Sequence, residues 1–247
     1  MRVLLLGGTG EARALAAELH TACIDVTSSL AGRVSNPALP VGDVRIGGFG
    51  GVDGLASYLR ETGVDIVVDA THPFAETITA NAVSACAGTR TPLLVLQRPP
   101  WDIDARWTQV ADIEAAADAV RSAPPGTVFL TTGKRDLQAF AGDAAHHFVI
   151  RVVDPPTTAL PSSHTLLLDR GPYTVEGELD LIRAHNISVL VTKNSGGSMT
   201  SAKLDAARRL DVHVIVVQRP ALPRTVDVVE SVDDALEWIR RRGSAEA

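Results

Sequence analysis

A strand that stops at Gly7-Gly8-Thr9-Gly10 and runs straight into a helix can hold a phosphate. Val3 to Leu6 form an apolar run of strand length, and Ala12, Leu15, Ala16 and Leu19 then recur at helical spacing. This order gathers unpaired backbone N–H groups and the positive end of a helix dipole at one point. Glycines let that backbone approach the phosphate without side chains in the way. The expected cofactor turn is therefore Gly8, Thr9, Gly10 and Glu11, placed for a nucleotide pyrophosphate. Arg13 stands where the third glycine of G-x-G-x-x-G would be, which keeps the helix from packing as closely as in the usual dinucleotide fold. A glycine-rich turn without a ligand could carry the same residues.

Three further strand ends add chemistry. Ile24 to Thr27 read as a second strand leading into Ser28, Ser29 and Arg33. About 20 residues past the glycines, a dinucleotide fold meets the adenosine ribose, and an acid there binds the 2′-hydroxyl. Two hydroxyls and a guanidinium suit a 2′-phosphate instead, which favours NADP over NAD. A solvated loop arginine is the competing reading of Arg33. After the strand Val44 to Ile46, Gly47-Gly48-Phe49-Gly50-Gly51 suggests backbone passing close to a ligand at Gly48, with Phe49 covering a flat ring. A plain flexible loop is the alternative. Asp65 to Asp69 form a buried strand that ends in Ala70, Thr71 and His72. In a parallel sheet these ends share one edge with the first glycine turn.

The elements that position these residues alternate strand and helix along all 247 residues, which predicts an α/β chain with parallel sheets. Leu94 to Pro99 (LVLQRP) is echoed by Ile215 to Pro220 (IVVQRP), and Asp65 to Thr71 corresponds to Ser188 to Lys193. Constant offsets of this kind predict two Rossmann-like halves, each a mainly parallel sheet flanked by helices, with a cleft between them. The expected boundaries are 1–98 for a dinucleotide-binding domain, 108–247 for a second α/β domain, and a linker at 99–107. A helix is expected after Gly133-Lys134-Arg135, and another with Met199, Ala202, Ala206 and Leu210 inward.

The net charge of −6 argues against a sequence-independent nucleic-acid binder. No apolar run approaches the ~20 residues that span a bilayer, and the N-terminal run is too short for a signal peptide. Cys23 and Cys86 read as buried free thiols of a cytoplasmic protein, without metal-like spacing.

GGTGEAR, SSLAGR, GGFGG, DATHPFA, QRP-x-W, and TKNSGG followed by Lys203 occur in an order that resembles the precorrin-6A reductase family of corrin biosynthesis. The resemblance runs from the first residue to about Pro220. It implies a nicotinamide-dependent reductase that saturates one double bond of a tetrapyrrole-derived macrocycle. The implied donor is NADPH and the implied substrate metal-free; a cobalt-containing counterpart is the alternative substrate. A macrocycle rich in carboxylates needs concentrated positive charge. Arg98, Lys134, Arg135, Lys193, Lys203 and Arg219 all fall at expected strand ends or helix starts. Asn194, Ser195, Gly196 and Gly197 add donors at a helix N-terminus. His72 is the expected proton donor, since its ordinary pKa lies near neutrality, with Lys193 or water as alternatives. A redox-sensing regulator that binds NADPH without turnover, or a binding protein that closes on an anionic ligand, is the competing function.

Overall fold

The computed structural model describes residues 1–32 and 38–243, so Arg33 lies outside the described residues. The chain divides into two units, Met1–Pro99 with Pro220–Ala247, and Pro100–Arg219.

In the first unit, β1 (Arg2–Leu6) is buried on both faces after its first residue. Val3 and Leu5 point to one side, and Leu4 and Leu6 to the other, as the twofold repeat of a strand requires. The helix α1 (Gly10–Thr21) follows, then β2 (Asp25–Leu30) and β3 (Asp43–Ile46). Next come α2 (Gly51–Thr62), β4 (Ile66–Asp69), α3 (Glu76–Thr89) and β5 (Leu93–Leu96).

The second unit opens with β6 (Thr108–Val110), α4 (Ile113–Arg121), β7 (Thr127–Leu130) and β8 (His147–Val152). It continues with β9 (His164–Leu168), α5 (Val175–Ala184), β10 (Ile187–Lys193), α6 (Ala202–Arg209) and β11 (His213–Val217). The chain then returns to the first unit as β12 (Asp227–Val229) and α7 (Val232–Gly243).

The sheets have the order β3-β2-β1-β4-β5-β12 and β9-β8-β7-β10-β11-β6, and every pairing among the described residues is parallel. The two orders are the same topology, so the expected pair of related α/β sheets is present. In the first unit, α1 and α7 cover one face through Leu15, Leu19, Leu236 and Ile239. Helices α2 and α3 cover the other through Leu55, Leu59, Ala82 and Cys86.

The expected boundaries need correction. Residues 220–247 belong with the first unit, because β12 pairs with β5 (Asp227↔Leu94, Val229↔Leu96) and α7 packs beside α1. Reciprocally, β6 follows β5 in sequence but pairs with β11 in the second sheet. Each sheet therefore receives its sixth strand just after the chain has left the other.

Four local expectations also change. Strand β2 runs to Leu30, which places Ser28 and Ser29 inside the ladder, opposite Leu5 and Leu6. Partners on both sides override the weak strand preference of serine. The helix expected after Arg135 is only a 3-10 turn at Leu137–Phe140. It ends because Asp143 Oδ1 accepts from the Ala145 and His146 N–H groups and turns the chain into β8. Helix α6 starts at Ala202, leaving Met199 exposed. Cys23 is exposed in the turn after α1, whereas Cys86 is buried. Burial, then the neighbouring Asp69 charge, pushes the Cys86 thiol up to about 12.

Candidate functional site

Strand β1 lies between β2 and β4, so the connections leave it in opposite directions and its carboxyl end is the topological switch point of the first sheet. The Gly7 N–H donates to Ser29 O and the Ala70 N–H to Leu6 O, each at 2.9 Å. The turn between them is held by Thr9. Its hydroxyl accepts from the Ala12 N–H at 3.1 Å, capping α1, and donates to Ala70 O at 2.7 Å. Thr9 thus shapes the turn with its side chain, and the backbone of Gly8, Gly10 and Glu11 is what α1 can offer an anion.

Gly8 sits at φ +120°, and a Cβ there would meet nothing within 4 Å. Gly48 has no positive φ, and a Cβ there would also meet nothing within 4 Å. Neither packing nor conformation requires glycine at 48; a ligand passing over the backbone would. Such a cradle fits a dinucleotide. Gly54 has a different cause: a Cβ would lie 1.7 Å from Phe49 O, so α2 could not approach the loop.

Glu11 sits in the first turn of α1, where a carboxylate would compete with a phosphate for the helix dipole. Arg98, expected to meet substrate, instead bonds to Glu11 Oε2 at 2.8 Å and offsets that charge. Ser28 and Ser29 are 1% and 7% exposed. The Ser28 hydroxyl has no hydrogen-bond partner among the described residues, and the Ser29 hydroxyl accepts from Arg45 Nη1 at 3.0 Å. Neither stands in the loop beyond the strand, where a ribose contact was expected. Phe49 is not an open platform either, because the Arg45 guanidinium lies 3.8 Å from its ring centroid.

At the end of β4, Asp69 accepts from the Thr71 N–H (3.0 Å), the Thr71 hydroxyl (2.7 Å) and the Thr79 hydroxyl (2.6 Å). This fixes the Ala70–Thr71 corner and leaves the Thr71 hydroxyl committed to Asp69. The exposed His72 ring accepts from the Phe74 N–H at Nδ1 (3.3 Å), which puts the proton of the neutral ring on Nε2.

In the second unit, the loop after β10 is built by anchors that the sequence did not reveal. Trp101 N–H donates to Asn194 Oδ1 at 2.8 Å, Asn194 Nδ2 returns a bond to Trp101 O at 3.4 Å, and Trp101 Nε1 donates to Gly197 O at 2.8 Å. Arg219 Nε donates to Asn194 O at 2.7 Å. Asn194 and Arg219 therefore position the loop, while Gly196 and Gly197 turn it through φ +66° and +78°. Ser195 is buried, and its N–H donates to Lys193 O. Lys193 Nζ is 2.6 Å from Asp136 Oδ2. Lys134 is half-buried and Arg135 exposed on the turn after β7.

Lys203 does not face solvent. It is 4% exposed, with Nζ 2.6 Å from Thr200 O and 4.7 Å from the Trp101 ring centroid. Burial, then the Arg151 charge, pulls its pKa down to about 7, with Glu178 opposing. Arg151 and Glu178 are themselves buried and 2.6 Å apart, and Arg151 also lies against Tyr173. An arginine inside an apolar strand was the available signal for this cluster.

The profile of the family described as "Precorrin-6x reductase CbiJ/CobK" matches residues 2–240, across both units. The chain belongs to this family. It is 56% identical over 239 residues to a precorrin-6A reductase of Mycobacterium tuberculosis (strain CDC 1551 / Oshkosh), covering 96% of this chain and 97% of that one. It is 52% identical over 242 residues to a precorrin-6A reductase of Rhodococcus erythropolis, with the same coverages. A solved structure of CobK precorrin-6A reductase superposes with a TM-score of 0.91 at 42% identity, covering 98% of this chain and 97% of that chain. Family membership thus spans the exchanged sixth strands as well as the glycine turn and the lysine-bearing loops.

Proposed function

We propose that the protein reduces one double bond of precorrin-6A in cobalamin biosynthesis, with NADPH as donor. The observation that carries this reading is the cradle at the switch point of the first sheet: an N-capped α1 beside the open backbone of Gly8 and Gly48. When bound, NADPH supplies a hydride to one carbon of the macrocycle. The backbone of Gly8, Gly10 and Glu11 holds the pyrophosphate, and Ala70 and Thr71 bound the cradle on the β4 side. Arg98 keeps the Glu11 carboxylate from repelling it. His72, as the imidazolium, gives a ring proton to the neighbouring carbon and is left as the neutral imidazole. Lys134, Arg135, Lys193 and the backbone donors of Gly196 and Gly197 take the macrocycle's carboxylates, on a loop that Trp101, Asn194 and Arg219 hold in shape. Lys203 acts through Trp101, away from the substrate surface.

The test is direct. NADPH absorbance should fall on adding precorrin-6A to the protein, and stay constant without the macrocycle. Constant absorbance with both present refutes the reading.

A further inference from the structure

Several cations near the strand ends of the described residues face a carboxylate. Arg98 faces Glu11, Lys193 faces Asp136, and Arg151 faces Glu178. Arg45 is different. It stands on β3 in register with Ser29 of β2, one residue before the strand ends. Its Nη1 donates to Ser29 Oγ and Gly47 O, both at 3.0 Å, and its Nη2 donates to Gly48 O at 3.1 Å. The guanidinium lies 3.8 Å from the Phe49 ring centroid and 5.3 Å from that of Tyr58. All its hydrogen-bond partners among the described residues are neutral, so among these residues the positive charge is held in place without a carboxylate on it.

Donor counting shows what is left over. A guanidinium has five N–H donors, of which these bonds use three. The Nε hydrogen and one Nη2 hydrogen remain, enough for a two-bond grip on a phosphate. The position fits as well. Leu30, which ends β2, lies about 20 residues beyond the glycine turn, where the adenosine ribose of a dinucleotide lies. Arg45 sits on the adjacent strand at that level and is bonded to the carbonyls of the Gly47–Gly48 loop. A rigid arginine stacked on an aromatic ring loses little entropy on binding.

We propose that Arg45 recognises the 2′-phosphate of NADPH and thereby sets the preference for NADPH over NADH. The inference rests on the dinucleotide reading above and moves the specificity determinant from the loop after β2 to β3. Ser29 then acts by holding the guanidinium.

Binding titrations test it without turnover, using NADPH, NADH, 2′,5′-ADP and 5′-AMP against wild type, R45A, R45K and R33A. Wild type should prefer NADPH over NADH, and 2′,5′-ADP over 5′-AMP. R45A should weaken NADPH and 2′,5′-ADP by about 10- to 100-fold and change NADH and 5′-AMP less than about threefold, the scale of a charge-assisted two-bond contact. R45K, which keeps the charge but not the fork, should recover only part of the loss. Equal weakening of all four nucleotides in R45A overturns the proposal and leaves Arg45 as a loop brace. Selective loss in R33A with none in R45A overturns it in favour of the loop. Wild type that binds NADPH and NADH equally, or neither, fails the dinucleotide reading itself.

Discussion

Replacing Lys203 with methionine should remove a pH dependence of stability that the buried ammonium creates. The side chain is 4% exposed, and its pKa falls from 10.5 to about 7 in the folded protein. Below pH 7 the lysine is protonated in both folded and unfolded chains, and the cost of burying its charge is fully present. Between pH 7 and 10.5 the unfolded chain keeps a proton that the folded chain has released, so stability rises with pH. Over the span from pH 7 to pH 9, linkage at 1.36 kcal/mol per pH unit gives a rise of about 2 kcal/mol. K203M has similar length, still packs on Trp101, and cannot titrate. Urea unfolding followed by tryptophan fluorescence at the two pH values measures the difference, with Trp101 and Trp107 reporting on the second unit. Wild type should gain about 2 kcal/mol relative to K203M. Parallel stabilities for the two proteins would show that Lys203 is hydrated when folded, and the burial argument would fail.

Trp101→Phe keeps a ring for Lys203 but loses the bond to Gly197 O. KM for the macrocycle should rise several-fold while NADPH affinity, measured by titration, stays constant. His72→Gln should cut turnover by about 100-fold or more in single-turnover kinetics with cofactor affinity unchanged; full turnover would eliminate His72 as the proton donor. Thr9→Ala loses both the α1 cap and the tie to Ala70 O. It should cost about 2 kcal/mol in urea unfolding, with Thr9→Ser restoring most of it.

The parts of this protein that periodicity governs were legible in the sequence. The apolar stripes of α1, α2, α4 and α7 and the buried cores of β1, β4, β7 and β10 all follow from spacing alone. The glycine turn and the β4 corner were visible because glycine and short polar residues at a strand end have few other uses. Side-chain partners were not legible. Nothing in the spacing says that Arg98 is spent on Glu11, that Lys203 turns inward over Trp101, or that Ser29 holds Arg45. These contacts join residues far apart in the chain. Position at a strand end fixes which edge a cation occupies, and leaves open which anion it meets there.

The repeated Gln-Arg-Pro shows the same division. Its two copies marked two related halves, and the structure places them at both points where the chain changes unit, Pro99–Pro100 and Arg219–Pro220. The first crossing was expected. The second was not, because β12 is only three residues long and carries no pattern that names its partner. The ladder decides it: β12 continues β5, and Gln97 N–H donates to Val229 O. Residues 1–98 alone would therefore leave β5 as a bare edge and strip Leu236 and Ile239 from the face that α1 shares. The sheet that carries the glycine turn is completed in three dimensions by β12 and α7, although every side chain expected to touch the cofactor lies in the first third.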